Sequence, residues 1–213
     1  MTKSRDRFQP LSELVASCLQ PDGAEAFGSA YPDALLILDD VEDEPGEVGF
    51  QTIRVDGDGG TVPSGGLPPG QTQRALAQIL GHLSGSPNKW VYPLENRSGK
   101  FAAMFTVGRA ANSDVRLNVA SLSKFRAYFT NVARDQAWYV SDAGSSSGTF
   151  INGEELPPSH GKVRLASGTT IRFGPDITAQ FYVAGLFWEL LQSCTEGLAE
   201  TSGHLERAAP ESE

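Results

Sequence analysis

The sequence predicts a mainly β fold, a sandwich or barrel in its second half with short helices before and after it, and three observations carry that reading. After Pro87 the chain breaks into short segments rich in aromatic and β-branched residues, separated by turn residues, which is how many short antiparallel strands look in sequence. Apolar residues at helical spacing occur instead around Leu11–Leu19, Leu76–Leu83 and Leu186–Leu191, outside that β-rich stretch. Finally, a chain of 213 residues with 39% apolar side chains can bury a sizeable core.

Taken in order, Pro10–Leu19 reads as an amphipathic helix, because Leu11, Leu14, Val15, Cys18 and Leu19 share one face and proline suits a first turn. It ends at Pro21-Asp22-Gly23. Ala34–Leu38 is an unbroken apolar run and reads as a buried strand, followed by an acidic loop at Asp39–Glu47 and a second strand at Phe50–Val55. The run Asp56–Gly70 is dominated by Gly and Pro, so it is read as a linker. Gln71–Leu83 gives another helix, with Leu76, Ile79, Leu80 and Leu83 on one face.

Strands are expected at Trp90–Leu94, Phe101–Val107, Val115–Leu117, Ala127–Thr130, Ala137–Val140, Thr149–Ile151, Thr170–Phe173 and Gln180–Val183, with a tight hairpin at Asn152-Gly153. Gly185–Gln192 reads as a terminal helix. The expected organisation is therefore an α/β extension or small lobe over 1–87, a β module over 88–184, a helix over 185–194 and a disordered polar tail over 195–213.

Charge is unevenly placed. The total is −9, yet residues 96–190 carry ten basic against seven acidic side chains between two acidic flanks. That balance argues against a nucleic-acid binder, which needs a pronounced basic face, while a modest local excess of Arg and Lys suits one discrete anion. Met1–Gln9 has no apolar stretch, and no purely apolar run is longer than Ala34–Leu38, far short of a bilayer span. A soluble, cytoplasmic protein with no membrane partner is expected. Two cysteines, Cys18 and Cys194, are too few for a disulfide framework, and no Cys or His spacing suggests a metal. No cofactor is expected either, since no phosphate-cradling glycine loop with its lysine is present.

Four segments within the β-rich half stand out by order and spacing: Gly108-Arg109, Asn112-Ser113-Asp114-Val115, Ser123-Lys124-Phe125-Arg126-Ala127, and Asp142 through Gly153, closed by Leu165 through Gly174. Together they resemble the forkhead-associated (FHA) family. The resemblance covers about residues 88–184 and implies an FHA-type β-sandwich of antiparallel strands that docks a phosphothreonine segment. By that similarity Arg109 and Ser123 grip the phosphate, the Lys124 backbone and ammonium assist, Ser146 contacts the phosphate or the threonine methyl environment, and Ser147 stands beside the peptide. Gly108, Gly148 and Gly153 shape the backbone.

The chemistry fits a dianionic ligand, which calls for a guanidinium, hydroxyl donors and small residues that let backbone N–H groups approach. Two residues depart from the family pattern. Arg126 stands where the family usually has histidine, and is bulkier and permanently charged. Ser147 stands where the family usually has asparagine, and its hydroxyl is too short to make both amide contacts, which implies weaker binding.

Each residue also has a plainer reading. A lone Arg109 is a solvated surface arginine, a lone Ser123 a turn or capping serine, and only their register reverses this. Asp114 and Asp142 read as loop ties through backbone hydrogen bonds, and Trp138, Phe150 and Phe173 as core. Gly144-Ser145-Ser146-Ser147-Gly148 matches the G-x-S-x-G elbow of serine hydrolases, but a strand and hairpin follow where that elbow needs a helix, and His82, His160 and His204 offer no triad partner. No enzyme is expected. The resemblance implies a signalling adaptor downstream of a Ser/Thr protein kinase, its partner a threonine-phosphorylated protein, whether the kinase or its substrate. The alternative is a phosphate-independent interaction scaffold on the same fold, motivated by Arg126 and Ser147.

Overall fold

The structure, a computed structural model, describes residues 8–39, 76–77, 79–83, 88–96, 104–157 and 161–205. The acidic loop beyond Asp39, the strand expected at Phe50–Val55 and the Gly/Pro-rich run 56–70 lie outside them.

Twelve strands are arranged in two sheets among these residues. Before the β-rich half come β1 (Gln9–Pro10), α1 (Leu11–Cys18), α2 (Gly23–Ala30) and β2 (Ala34–Asp39). Then follow β3 (Lys89–Pro93), β4 (Met104–Gly108), β5 (Val115–Arg116), β6 (Ala127–Val132), β7 (Ala137–Asp142), β8 (Thr149–Ile151), β9 (Glu154–Glu155), β10 (Lys162–Leu165), β11 (Thr169–Phe173), β12 (Ile177–Val183) and the C-terminal helix α3 (Ala184–Leu205). The larger sheet has the order β1-β3-β2-β12-β11-β8-β9 and the smaller β10-β7-β6-β4-β5. All pairs are antiparallel except β4 with β5.

The sandwich core lies between the sheets. Alternate residues of each strand point into it: Phe105 and Val107 from β4, Phe129 from β6, Trp138 and Val140 from β7, Ile171 and Phe173 from β11, Phe181 from β12. Phe181 joins the two layers, its ring 6.2 Å from that of Phe129 and 5.7 Å from that of Trp138. Phe150 departs from the expected core placement. It faces outward from β8 with the Arg172 guanidinium 3.8 Å above its ring, because its neighbours Thr149 and Ile151 take the buried positions.

The run Ala34–Leu38 is a strand as expected, but it is internal to the larger sheet. It pairs with β12 from Leu38↔Ala179 to Ala34↔Val183 and with β3 from Leu35↔Pro93 to Asp39↔Lys89. The boundary expected at residue 87 thus falls between two paired strands. The reason is legible in the run itself: Leu36 and Leu38 face the sandwich core while Leu35 and Ile37 face a second cluster with Leu11, Leu14, Phe27, Ile79 and Phe187. Five consecutive apolar residues satisfy a strand covered on both faces. The helices α1, α2, α3 and the helical residues 79–82 provide that outer cover.

Two further differences concern helices. The segment after Pro21 starts a second helix, α2, which has only one large apolar residue, Phe27, and so shows no periodic face in sequence. The terminal helix, expected to give way to a tail at residue 195, continues to Leu205. Lys162–Leu165 adds an edge strand on β7, and Asn152-Gly153 forms the expected hairpin turn, both residues at positive φ (49° and 93°). No described helix is long and apolar enough to cross a membrane.

Candidate functional site

Three loops meet at one end of the sandwich: 109–114 between β4 and β5, 117–126 between β5 and β6, and 143–148 between β7 and β8. Backbone hydrogen bonds fasten the first two together, Arg109 N to Ser123 O at 3.1 Å and Ala110 N to Lys124 O at 3.0 Å. The approach demands glycine at 108, where a Cβ would collide with the Lys124 carbonyl oxygen. Asp114 holds the base of its loop, its Oδ2 accepting from the Thr106 backbone N–H and hydroxyl, both at 2.8 Å. On the far side, the Ser121 hydroxyl donates to Asp176 Oδ2 at 2.7 Å, tying the second loop to the β11–β12 turn.

The structure places Arg109, Ser123 and Ser146 next to one another on this rim. Arg109 is exposed and its Nε donates to the Leu122 carbonyl at 3.2 Å; among the described residues no carboxylate forms an ion pair with it. The Ser123 and Ser146 hydroxyls are 3.2 Å apart, and Ser123 Oγ accepts from the Ser146 backbone N–H at 3.3 Å. Lys124 and Ser147 are exposed on the same loops. The result is a rim of one guanidinium, one ammonium and three hydroxyls, a donor set suited to an anion.

Beneath the rim lies a polar network that residue-type reasoning did not assemble. Asp142 Oδ1 accepts from the Gly144 and Ser145 amides (2.8 and 2.7 Å), and Oδ2 from the Ser145 and Thr149 hydroxyls (2.7 and 2.6 Å). Burial by itself would raise the Asp142 pKa; the hydrogen bonds from Thr149, Ser145 and Gly144 outweigh it and hold the carboxyl below the ordinary range. Arg126 is fully buried, and its Nη1 donates to Ser145 Oγ at 2.7 Å and to the Gly148 carbonyl at 3.1 Å. The bulk of Arg126 is thereby accommodated under the third loop. The sequence signal for this network was the Asp142-Ala-Gly-Ser145 spacing, an aspartate whose carboxylate can cap the turn it opens.

The sequence model of the FHA domain matches residues 105–174. No curated protein matches the chain. Solved structures that resemble it include the N-terminal FHA domain of S. cerevisiae Rad53p in complex with a phosphothreonine peptide, 21% identical over 46% of this chain and 88% of that one, TM-score 0.38. A second is the FhaA FHA domain complexed with the intracellular domain of Rv3910, at 22% identity, 44% and 86% coverage and TM-score 0.34. A third is the FHA domain of an Arabidopsis thaliana hypothetical protein, at 24% identity, 38% and 67% coverage and TM-score 0.35.

Proposed function

With residues 105–174 an FHA domain, we propose that the chain is a phosphothreonine-peptide recognition module, acting without catalysis as a cytoplasmic adaptor downstream of a Ser/Thr protein kinase. The observation that carries this reading is the rim itself: Arg109 is exposed and not held by a carboxylate among the described residues, beside a pair of hydroxyls 3.2 Å apart. In this reading Arg109 makes charge-assisted contacts to the phosphate and Ser123 and Ser146 donate to its remaining oxygens. Lys124 adds positive charge at the edge, and Ser147 offers one hydroxyl to the peptide backbone. The partner is a threonine-phosphorylated protein, the kinase or one of its substrates.

Ser147 supports a second reading, a phosphate-independent scaffold, since its hydroxyl reaches less far than an amide side chain. Calorimetric titration with a degenerate phosphothreonine peptide library separates the two. Binding that requires phosphothreonine, exceeds binding to the phosphoserine and unphosphorylated libraries, and weakens on Arg109→Ala is the expected result. Equal affinity for all three libraries, or none for any, favours the scaffold.

A further inference from the structure

Among the described residues Arg126 is the largest fully buried side chain, 0% exposed. A guanidinium is seldom taken wholly out of water, so its surroundings call for an account. Its backbone is locked from both sides, N–H to the Val107 carbonyl at 2.9 Å and carbonyl to the Ala143 N–H at 3.0 Å. From that anchor the side chain passes under the third loop and grips it at two points, Ser145 Oγ and the Gly148 carbonyl. Ser145 in turn donates to Asp142 Oδ2, so guanidinium, hydroxyl and carboxylate form a relay.

The two charges are not equally satisfied. Asp142 accepts four hydrogen bonds, whereas Arg126 Nε and Nη2 have no hydrogen-bond partner among the described residues. The guanidinium and Ser147 both border Gly174: a Cβ placed there would stand 3.2 Å from Arg126 Nη2 and 3.4 Å from Ser147 Cβ. Burial lowers the Arg126 pKa and Asp142 opposes that effect, but an arginine stays protonated. A desolvated cation, its charge partly offset by Asp142, lies beneath a loop that carries two exposed serines and acts on an anion above the loop with less screening than a surface charge would.

We propose that Arg126 is a positioning residue that pins the Ser145–Gly148 loop and supplies, from below it, a buried positive charge felt by the phosphate of a bound segment. This rests on the reading of the rim as a phosphate site.

Arg126→His, Arg126→Met and Ser145→Ala in the full chain test this, with folding checked by thermal melts. Affinity for the phosphothreonine library is measured at pH 5.5, 7 and 8.5, and the histidine variant is compared with the methionine variant at the same pH, so that both meet the phosphate, which titrates near about pH 6, in one charge state. Arg126→His should bind within about threefold of wild type at pH 5.5 and roughly tenfold weaker at pH 8.5, as an imidazole of pKa about 6.5 loses its charge. Arg126→Met should be weaker at every pH, and more so above about pH 6, where the phosphate is a dianion. A histidine-to-methionine affinity ratio independent of pH overturns the charge role, as does an Arg126→Met affinity equal to wild type. Amide exchange at 144–148 is the second readout, expected to accelerate tenfold or more in Arg126→Met and less in Ser145→Ala, with the core strands unchanged. If the wild type binds no phosphopeptide, the proposed function fails and the charge role with it; pinning then stands on the exchange data alone, and wild-type exchange rates in Arg126→Met overturn it.

Discussion

Along the larger sheet, one half is buried on both faces and the other on one. In β2 every residue from Ala34 to Leu38 is buried, and in β12 Phe181 and Tyr182 are buried on opposite faces. In β11, by contrast, Thr169, Ile171 and Phe173 are buried while Thr170 and Arg172 between them are not, and β9 is exposed. The helical layer extends only as far as the outward side chains are apolar, over Leu35, Ile37, Val91 and Tyr182. Where the outward residues are Phe150 and Arg172 they stack on each other instead. The candidate site adjoins this open half, since Gly148 at the end of the third loop accepts from Gly174 at the end of β11. Apolar burial that stabilises the fold and the polar groups of the candidate site are thus spatially separate.

Substitutions on the two halves should show that separation. The largest effect is expected from Ile37→Ala on the covered half, which removes a side chain 1% exposed and should lower the unfolding free energy by about 3 kcal/mol, read by urea denaturation. Next, Arg109→Ala at the rim should weaken phosphopeptide binding by about 2 kcal/mol, the scale of a charge-assisted hydrogen bond, while leaving the urea midpoint nearly unchanged. A stability loss comparable to that of Ile37→Ala would show that the rim and the core are not independent.

Asp142 lies between these cases, because it is buried yet belongs to the site. Its folded-state pKa is depressed, so its ionisation stabilises the fold fully above the unfolded carboxylate pKa of about 4. That contribution is lost as pH falls through the depressed folded value. Asp142→Asn should therefore be about 1 kcal/mol less stable at neutral pH, with the gap closing in acid; a gap constant down to pH 2 would show that the carboxylate's charge contributes nothing. On the open face, half-buried Arg172 stacks on Phe150 and donates to the Gly174 carbonyl, so Arg172→Ala should cost about 1 kcal/mol. The smallest effect concerns Cys18, whose thiol is pushed up to about 12 by burial. It should react with iodoacetamide at pH 8 far more slowly than in urea-unfolded protein, a comparison that sharpens the picture of the covered half without perturbing it.

Much of this was legible in residue order. The strand expected at Thr170–Phe173, the apolar run Ala34–Leu38 and the Asn152-Gly153 turn each correspond to the element they suggested, because strand period and turn conformation are local properties. Arg109, Ser123 and Ser146 were picked out by motif spacing, and they meet because tight loops on rigid strands leave little freedom. Helix α2 and strand β10 were not legible, having too few apolar residues for a period to show.

By itself, then, the sequence determined the β-rich character and the positions of most strands and of the Asn152-Gly153 turn, since those depend on contacts within a few positions of the chain. Which surfaces those strands met was decided only by the tertiary structure. It inserted β2 between β3 and β12, laid helices on half of one sheet, and buried Arg126 beneath the loop of Ser145 and Gly148. A guanidinium's place in the interior depends on hydroxyl and carbonyl partners about twenty residues away, and pairing at that distance follows from how the sheets pack rather than from any local pattern.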